Sequence, residues 1–175
     1  MKHILKKGAH MNISLIGMAG VGKSTVGKAL ARKLGVRFYD TDKIIEEKVG
    51  LRLQSIINDI GEQDFLLIEE DAVLNLDLSE PSVVAPGGSV VYCEKAMEFL
   101  QEAGVVVQLK AGIEDIKGWI TNIQNRGIVR LKGKTIEELY AERSKLYEQY
   151  ADLTVEIGKH RTVDEVVEEI IGKVY

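Results

Sequence analysis

Residues Gly17 to Ser24 read Gly-Met-Ala-Gly-Val-Gly-Lys-Ser, which fits the pattern G-x-x-x-x-G-K-[ST]. Gly17, Gly20 and Gly22 let the backbone turn its N–H groups inward around phosphate oxygens, and the helix that follows adds positive potential from its N-terminus. Lys23 would reach the terminal phosphates, and the Ser24 hydroxyl would hold Mg²⁺. The run follows a strand-like stretch, Asn12–Ile16, and opens a helical one, Gly22–Leu34, which is the context the motif needs. The plain alternative is a glycine-rich turn with no ligand; motif and context together argue against it. A nucleoside triphosphate is the expected ligand.

Two further sets of residues could act on that phosphate. Phe38-Tyr39-Asp40-Thr41-Asp42 ends the next strand, so two carboxylates stand at the edge where open α/β sheets hold ligands. At that spacing one could help organise Mg²⁺ and the other accept a hydroxyl proton. The competing expectation is that Asp42 only caps a helix over Lys43 to Lys48. Arg143 lies four residues after Leu139 and four before Tyr147, on the apolar face of its helix. An inward arginine needs an anion, either a structural carboxylate such as Asp40 or a bound substrate. Arg126, Arg130, Lys132 and Lys134 crowd a weakly patterned stretch from Thr121 to Lys134. Such runs are usually solvated, but in a P-loop enzyme a basic loop is also the device that covers the triphosphate and excludes water.

The elements that must position these residues alternate along the chain. Ile13–Ile16, Val36–Tyr39, Val83–Ala85, Val105–Leu109 and Leu153–Ile157 read as strands, nearly continuous apolar runs suited to a parallel sheet covered on both faces. Between them, Val26, Leu30 and Leu34 form one helix face closed by Gly35. Thr135 with Glu138, and Thr162 with Glu165, are capping boxes that open two more amphipathic helices. Strand–helix alternation predicts a doubly wound α/β fold. The chain has 175 residues, 23 Lys and Arg against 27 Asp and Glu, and a single cysteine, Cys93. That length predicts one domain; the net charge of −4 argues against a general nucleic-acid binder, and the lone cysteine argues for a reducing compartment. No apolar stretch is long enough for a membrane span, and Met1 to His10 is basic without an apolar core. A cytoplasmic location is expected, with residues 1–11 a separate extension before the domain.

Over residues 12 to 175 the sequence resembles the shikimate kinase family. The resemblance is carried in order by GMAGVGKST, FYDTDKIIEEKVG, the GEQDF segment with Glu69 beyond it, VVAPGG, the lone Arg126, and AERSKLYEQYADLTV. It implies a five-stranded parallel sheet of the nucleoside-monophosphate-kinase type, a lid around 121–134 and a substrate-binding helical insert around 43–76. It implies transfer of the ATP γ-phosphate to a hydroxyl, shikimate being the nearest named acceptor, with ATP and Mg²⁺ required. Asp42 would hold and deprotonate the accepting hydroxyl, Asp40 would join Ser24 in supporting Mg²⁺, and Arg143 would grip the acceptor carboxylate beside Gly87 and Gly88. Lys23 and Arg126 would serve the phosphates along with Thr25, and the segment from Gly158 to Arg161 would pass the adenine. The expected partner is a small hydroxy acid, with neither nucleic acid nor membrane, and the expected state is a monomer.

The sequence departs from the family at defined places. Leu66 stands where the family has a second arginine clamp on the shikimate carboxylate, and Gly87-Gly88-Ser89 replaces a triple glycine. Arg126-Gly127-Ile128-Val129 replaces R-P-L-L, and Trp119 replaces a basic residue of many members. These losses fall mostly on the acceptor side. A kinase for a gluconate-like or homoserine-like hydroxy acid, and a nucleotide-binding module without chemistry, are the alternatives. A nucleoside monophosphate acceptor calls for more arginines than remain.

Overall fold

The computed structural model describes residues 11–120, 128–129, 133–158 and 160–175. Five strands, β1 (Asn12–Ile16), β2 (Arg37–Asp40), β3 (Ser82–Ala85), β4 (Gly104–Lys110) and β5 (Leu153–Glu156), form one sheet in the order β2-β3-β1-β4-β5. All of its pairings are parallel. Every residue of β1 and β3 is buried, whereas the edge strands β2 and β5 are mostly not. The unbroken apolar runs therefore belong to the strands covered on both faces, as the physics of parallel sheets demands.

Helices α1 (Lys23–Leu34) and α8 (Val163–Val174) pack together, and α5 (Glu94–Ala103) and α7 (Ile136–Tyr150) also cover the sheet. Gly35 ends α1 in the left-handed conformation, donating to the carbonyls of Ala31 and Arg32. Both capping boxes form, Thr135 with Glu138 on α7 and Thr162 with Glu165 on α8. A short helix, α6 (Ile113–Trp119), leads out of β4. Helices α2 (Thr41–Val49), α3 (Leu53–Ile60) and α4 (Glu62–Leu74) run between β2 and β3. They enclose a second apolar cluster of Ile45, Ile56, Ile57 and Phe65, into which Val129 is also packed. Among the described residues no helix is long and apolar enough to cross a membrane.

From β1 the chain travels through α1 to the edge strand β2, but from β3 it crosses to β4 on the other side of β1. The loops leaving the carboxyl ends of β1 and β3 therefore diverge and leave a crevice, the topological switch point at which such sheets take ligands. The register of β1 fixes where the Gly17 loop begins. It is set by pairing from Asn12 with Gly104 to Ile16 with Gln108, and Asn12 Nδ2 donates to Leu78 O (2.9 Å) and Ala103 O (3.2 Å). A Cβ on Gly104 would overlap the Asn12 carbonyl, whose carbon would lie only 2.7 Å away. Gly104→Ala should therefore destabilise the protein by about 1–3 kcal/mol through forced separation of β1 and β4. Urea denaturation reads this directly, and an unshifted midpoint would contradict the contact.

Candidate active site

The crevice holds a cavity of about 400 Å³, lined by the Gly20–Thr25 turn, Asp42, the Ala85–Ser89 segment after β3, Arg143, Phe65 and Val129 among others. Its phosphate side is built by β1 and α1. Gly22, at φ 97°, turns the chain into α1, and a Cβ on Gly17 would overlap the carbonyl oxygen of Leu109 on β4. Lys23 folds back so that its Nζ donates to Gly17 O (2.9 Å) and Met18 O (3.2 Å). Desolvation pushes the Lys23 ammonium down to about 8, against the opposing attraction of Asp42. Ser24 and Thr25 line the same cavity, and both also border a second concavity formed by Lys28, Ala29 and Arg32 of α1 with Val163 and Asp164 of α8.

The structure divides the two aspartates differently from the capping expectation. Helix α2 starts at Thr41, two residues before Lys43, and the side chain that caps it is Asp40, which accepts from Lys43 N at 3.3 Å. Asp42 is thus inside the first turn, is not the capping residue, and faces the cavity. Desolvation pushes its carboxyl up to about 6, with Lys23 opposing the rise and Asp40 and Glu46 adding to it. Thr41 Oγ1 accepts from Gly87 N (3.3 Å), which ties the start of α2 to the loop after β3.

Gly87 and Gly88 are required by close approach. A Cβ on Gly87 would strike Glu69 Oε1 and come within 2.8 Å of Asp42 Oδ1. A Cβ on Gly88 would lie 3.1 Å from Arg143 Nη1 and 3.3 Å from Ala19 N. Tyr147, one turn beyond Arg143, donates its hydroxyl to Gly88 O at 2.6 Å. Arg143 is 1% exposed, its guanidinium stands 5.4 Å from the Tyr92 ring centroid, and its Nη2 donates to Val129 O at 2.7 Å. Its Nε has no hydrogen-bond partner, and among the described residues it forms no ion pair. Asp40, the structural counter-ion considered from sequence, is engaged in capping α2 instead.

Two residues at the site went unassigned in the sequence. Glu69 is completely buried: its Oε2 accepts from Ser89 Oγ at 2.6 Å while its Oε1 has no partner, and burial pushes its carboxyl up to about 7. A signal existed, because Phe65, Glu69 and Val73 recur every four residues on the buried face of α4. Ser89 lines the cavity and is 5% exposed. Leu66 does not line it; the side chain packs between the two apolar clusters. Arg161 also stands apart from the cavity, donating to Glu156 O (2.8 Å) and Glu165 O (3.2 Å) and pairing with Glu169. Lys134 pairs with Glu142. Arg126, Arg130 and Lys132 lie outside the described residues.

The family model for shikimate kinase matches residues 19–175. A shikimate kinase of Caldanaerobacter subterraneus is 36% identical over 162 residues, 91% of this chain and 94% of that protein. Among solved structures, a shikimate kinase from Acinetobacter baumannii in complex with shikimate superposes with a TM-score of 0.85 at 30% identity, covering 94% of this chain and 92% of that one. The shikimate kinase of Aquifex aeolicus gives 0.78 at 32% identity, covering 94% and 96%. The switch-point crevice, its phosphate turn and these likenesses along nearly the whole chain place the protein in the shikimate kinase family, as a small-molecule kinase that uses ATP.

Proposed function

We propose that the protein transfers the γ-phosphoryl group of ATP to a hydroxyl of shikimate, acting as a monomer in the cytoplasm. The observation that carries this reading is one cavity bordered together by Lys23, Asp42 and a buried Arg143 whose Nε has no partner among the described residues. A guanidinium desolvated in this way calls for an anion, and the carboxylate of the acceptor supplies one.

In the reaction Asp42 accepts the proton of the attacking hydroxyl. The hydroxyl oxygen forms its bond to the γ-phosphorus as the bond to the ADP oxygen breaks, and ADP leaves. Lys23, released from the Gly17 and Met18 carbonyls, meets the phosphoryl charge that develops. Gly17, Gly20, Gly22, Ser24 and Thr25 cradle the phosphates. The concavity beyond Ser24 and Thr25, next to Val163 and Asp164, takes the adenosine end, and the Gly158 to Arg161 segment passes the adenine. Arg126, outside the described residues, is assigned to the phosphates by the family resemblance alone.

Mg²⁺ fits the donor set. Ser24 offers a hydroxyl at the cavity, and Asp40 uses one oxygen as a cap while the other accepts no hydrogen bond from the described residues. Among the described residues no cluster of three or more metal-ligating side chains exists, which suits an ion held by one or two protein oxygens and the phosphates themselves. When bound, Mg²⁺ offsets phosphate charge and orients the γ-phosphoryl group.

Three measurements test this. Lys23→Ala should lower kcat by at least about a hundredfold with the fold retained by circular dichroism, since its amine acts on charge absent from the ground state. Turnover at the unmodified rate would refute the assignment. Asp42→Asn should lower kcat by roughly 10²–10⁴ without changing ATP affinity, and because the base must be ionised, kcat/KM of the unmodified protein should fall as pH drops through about 6. A pH-independent rate between 5 and 7 would remove Asp42 from that role. Arg143→Lys keeps the charge but loses the planar fork, so the shikimate KM should rise by about tenfold or more while the ATP KM holds. Equal rises for both substrates would place Arg143 elsewhere in the reaction.

A further inference from the structure

The wall of the cavity beyond Gly88 is unusual in its hydrogen-bond polarity. Ser89 follows the two glycines that floor the site and lines the cavity itself. A serine hydroxyl has one proton to donate and two lone pairs that accept. That proton is directed away from the cavity to Glu69 Oε2, at 2.6 Å, the length of a charge-assisted bond. Glu69 is completely buried on α4, and its Oε1 has no partner, so the carboxylate has every reason to keep the donor it has. Leu66, one turn earlier on the same helix, brings no second donor. With its proton committed, Ser89 can only accept from whatever occupies the cavity.

We infer that Ser89 is a specificity-determining residue that accepts a hydrogen bond from a second hydroxyl of the acceptor, one that is not phosphorylated. The selected class is a polyhydroxylated acid: its carboxylate lies on Arg143, one hydroxyl on Asp42 and another on Ser89. This rests on the acceptor reading above and deepens it. Above about pH 7, where burial no longer keeps Glu69 protonated, the polarity of the pair is fixed, since a carboxylate only accepts.

The test is steady-state kinetics at pH 8 on the unmodified protein, Ser89→Ala, Ser89→Gly and Ser89→Thr, with shikimate and with shikimate analogues that each lack one ring hydroxyl. Ser89→Ala and Ser89→Gly should raise the shikimate KM roughly three- to tenfold with kcat and the ATP KM little changed, and Ser89→Thr, which keeps the hydroxyl, should recover most of the loss. One analogue should show the same penalty on the unmodified protein and no further penalty on Ser89→Ala, because the two changes remove one bond. If loss of the Glu69 partner prevents Ser89→Ala and Ser89→Gly from folding, the analogues on the unmodified protein decide: one lacking a ring hydroxyl that is not phosphorylated should raise KM roughly three- to tenfold, and an unchanged KM for every such analogue would overturn the inference. An unchanged shikimate KM in the folded variants, or additive penalties for every analogue, would overturn the inference. Failure of the unmodified protein to phosphorylate shikimate overturns the acceptor reading instead, and gluconate, which keeps further hydroxyls beside the phosphorylated one, then replaces shikimate in the same comparison. A rise confined to the acceptor KM upholds Ser89, and no rise or no turnover rejects it.

Discussion

The dipeptide Gly87-Gly88 is the point on which the site is assembled, because there is no room beside it for a side chain. A Cβ at Gly87 would enter the space of the Glu69 and Asp42 carboxylates, and one at Gly88 would press on Arg143 and on the backbone of the Gly17 turn. Four parts of the chain distant in sequence are brought together by this close approach: the Gly17 turn, α2, α4 and α7. Hydrogen bonds then hold the dipeptide from both sides, Gly87 N donating to Thr41 and Gly88 O accepting from Tyr147. Thr41 precedes Asp42 by one residue, and Tyr147 follows Arg143 by one helical turn. The bonds that fix the backbone thus also aim the two side chains.

What this assembly costs is visible in the titration of its charges. Burial pushes Lys23 down to about 8, Asp42 up to about 6 and Glu69 up to about 7, and in each case desolvation is the leading cause. Each shift favours the neutral form, the direction low dielectric imposes when counter-charges are incomplete, although near pH 7 Lys23 and Asp42 stay mostly charged. On the proposed reading, a triphosphate beside Lys23 and a carboxylate beside Arg143 would supply the missing partners. Ligand binding and site electrostatics are two views of one deficit, and the net stability of the loaded protein exceeds that of the free one by the linkage this implies.

How much of this could be read from the chain alone follows the range of each interaction. The phosphate turn was legible because strand, glycines, lysine and helix are contiguous. Arg143 was legible because it interrupts an apolar period, and the structure buries it beside the cavity. Glu69 carried the same signal, between Phe65 and Val73, but in a helix whose exposed face also holds Leu67 and Leu74, so the apolar stripe is blurred. The capping roles of Asp40 and Asp42 depended on where α2 begins; a shift of two residues transfers the cap from one to the other and changes which carboxylate is left for chemistry. Thr41 on Gly87, and Tyr147 on Gly88, span 46 and 59 residues, and no local pattern encodes a contact between a hydroxyl and a backbone group so far away.

A further distant contact links the guanidinium in the cavity to the packing of the α2–α4 helices. Arg143 donates to the carbonyl of Val129, and the Val129 side chain is buried with Ile45, Ile56, Ile57 and Phe65 in the cluster of α2–α4. Phe65 and Val129 also line the cavity. The guanidinium that lines the cavity therefore holds the backbone at Val129, and one of the apolar side chains packed on Val129, Phe65, also borders the cavity. On the proposed reading, an anion on Arg143 would restrict the guanidinium to orientations that keep the Val129 bond and would supply a partner to Nε, which has none among the described residues. Carboxylate recognition and the placing of Val129 would then share a donor group. In a phosphotransferase that sharing would have a chemical consequence: water would be excluded from the Val129 side of the cavity most completely with the intended acceptor in place, so the phosphoryl group would be shielded when its proper nucleophile is present.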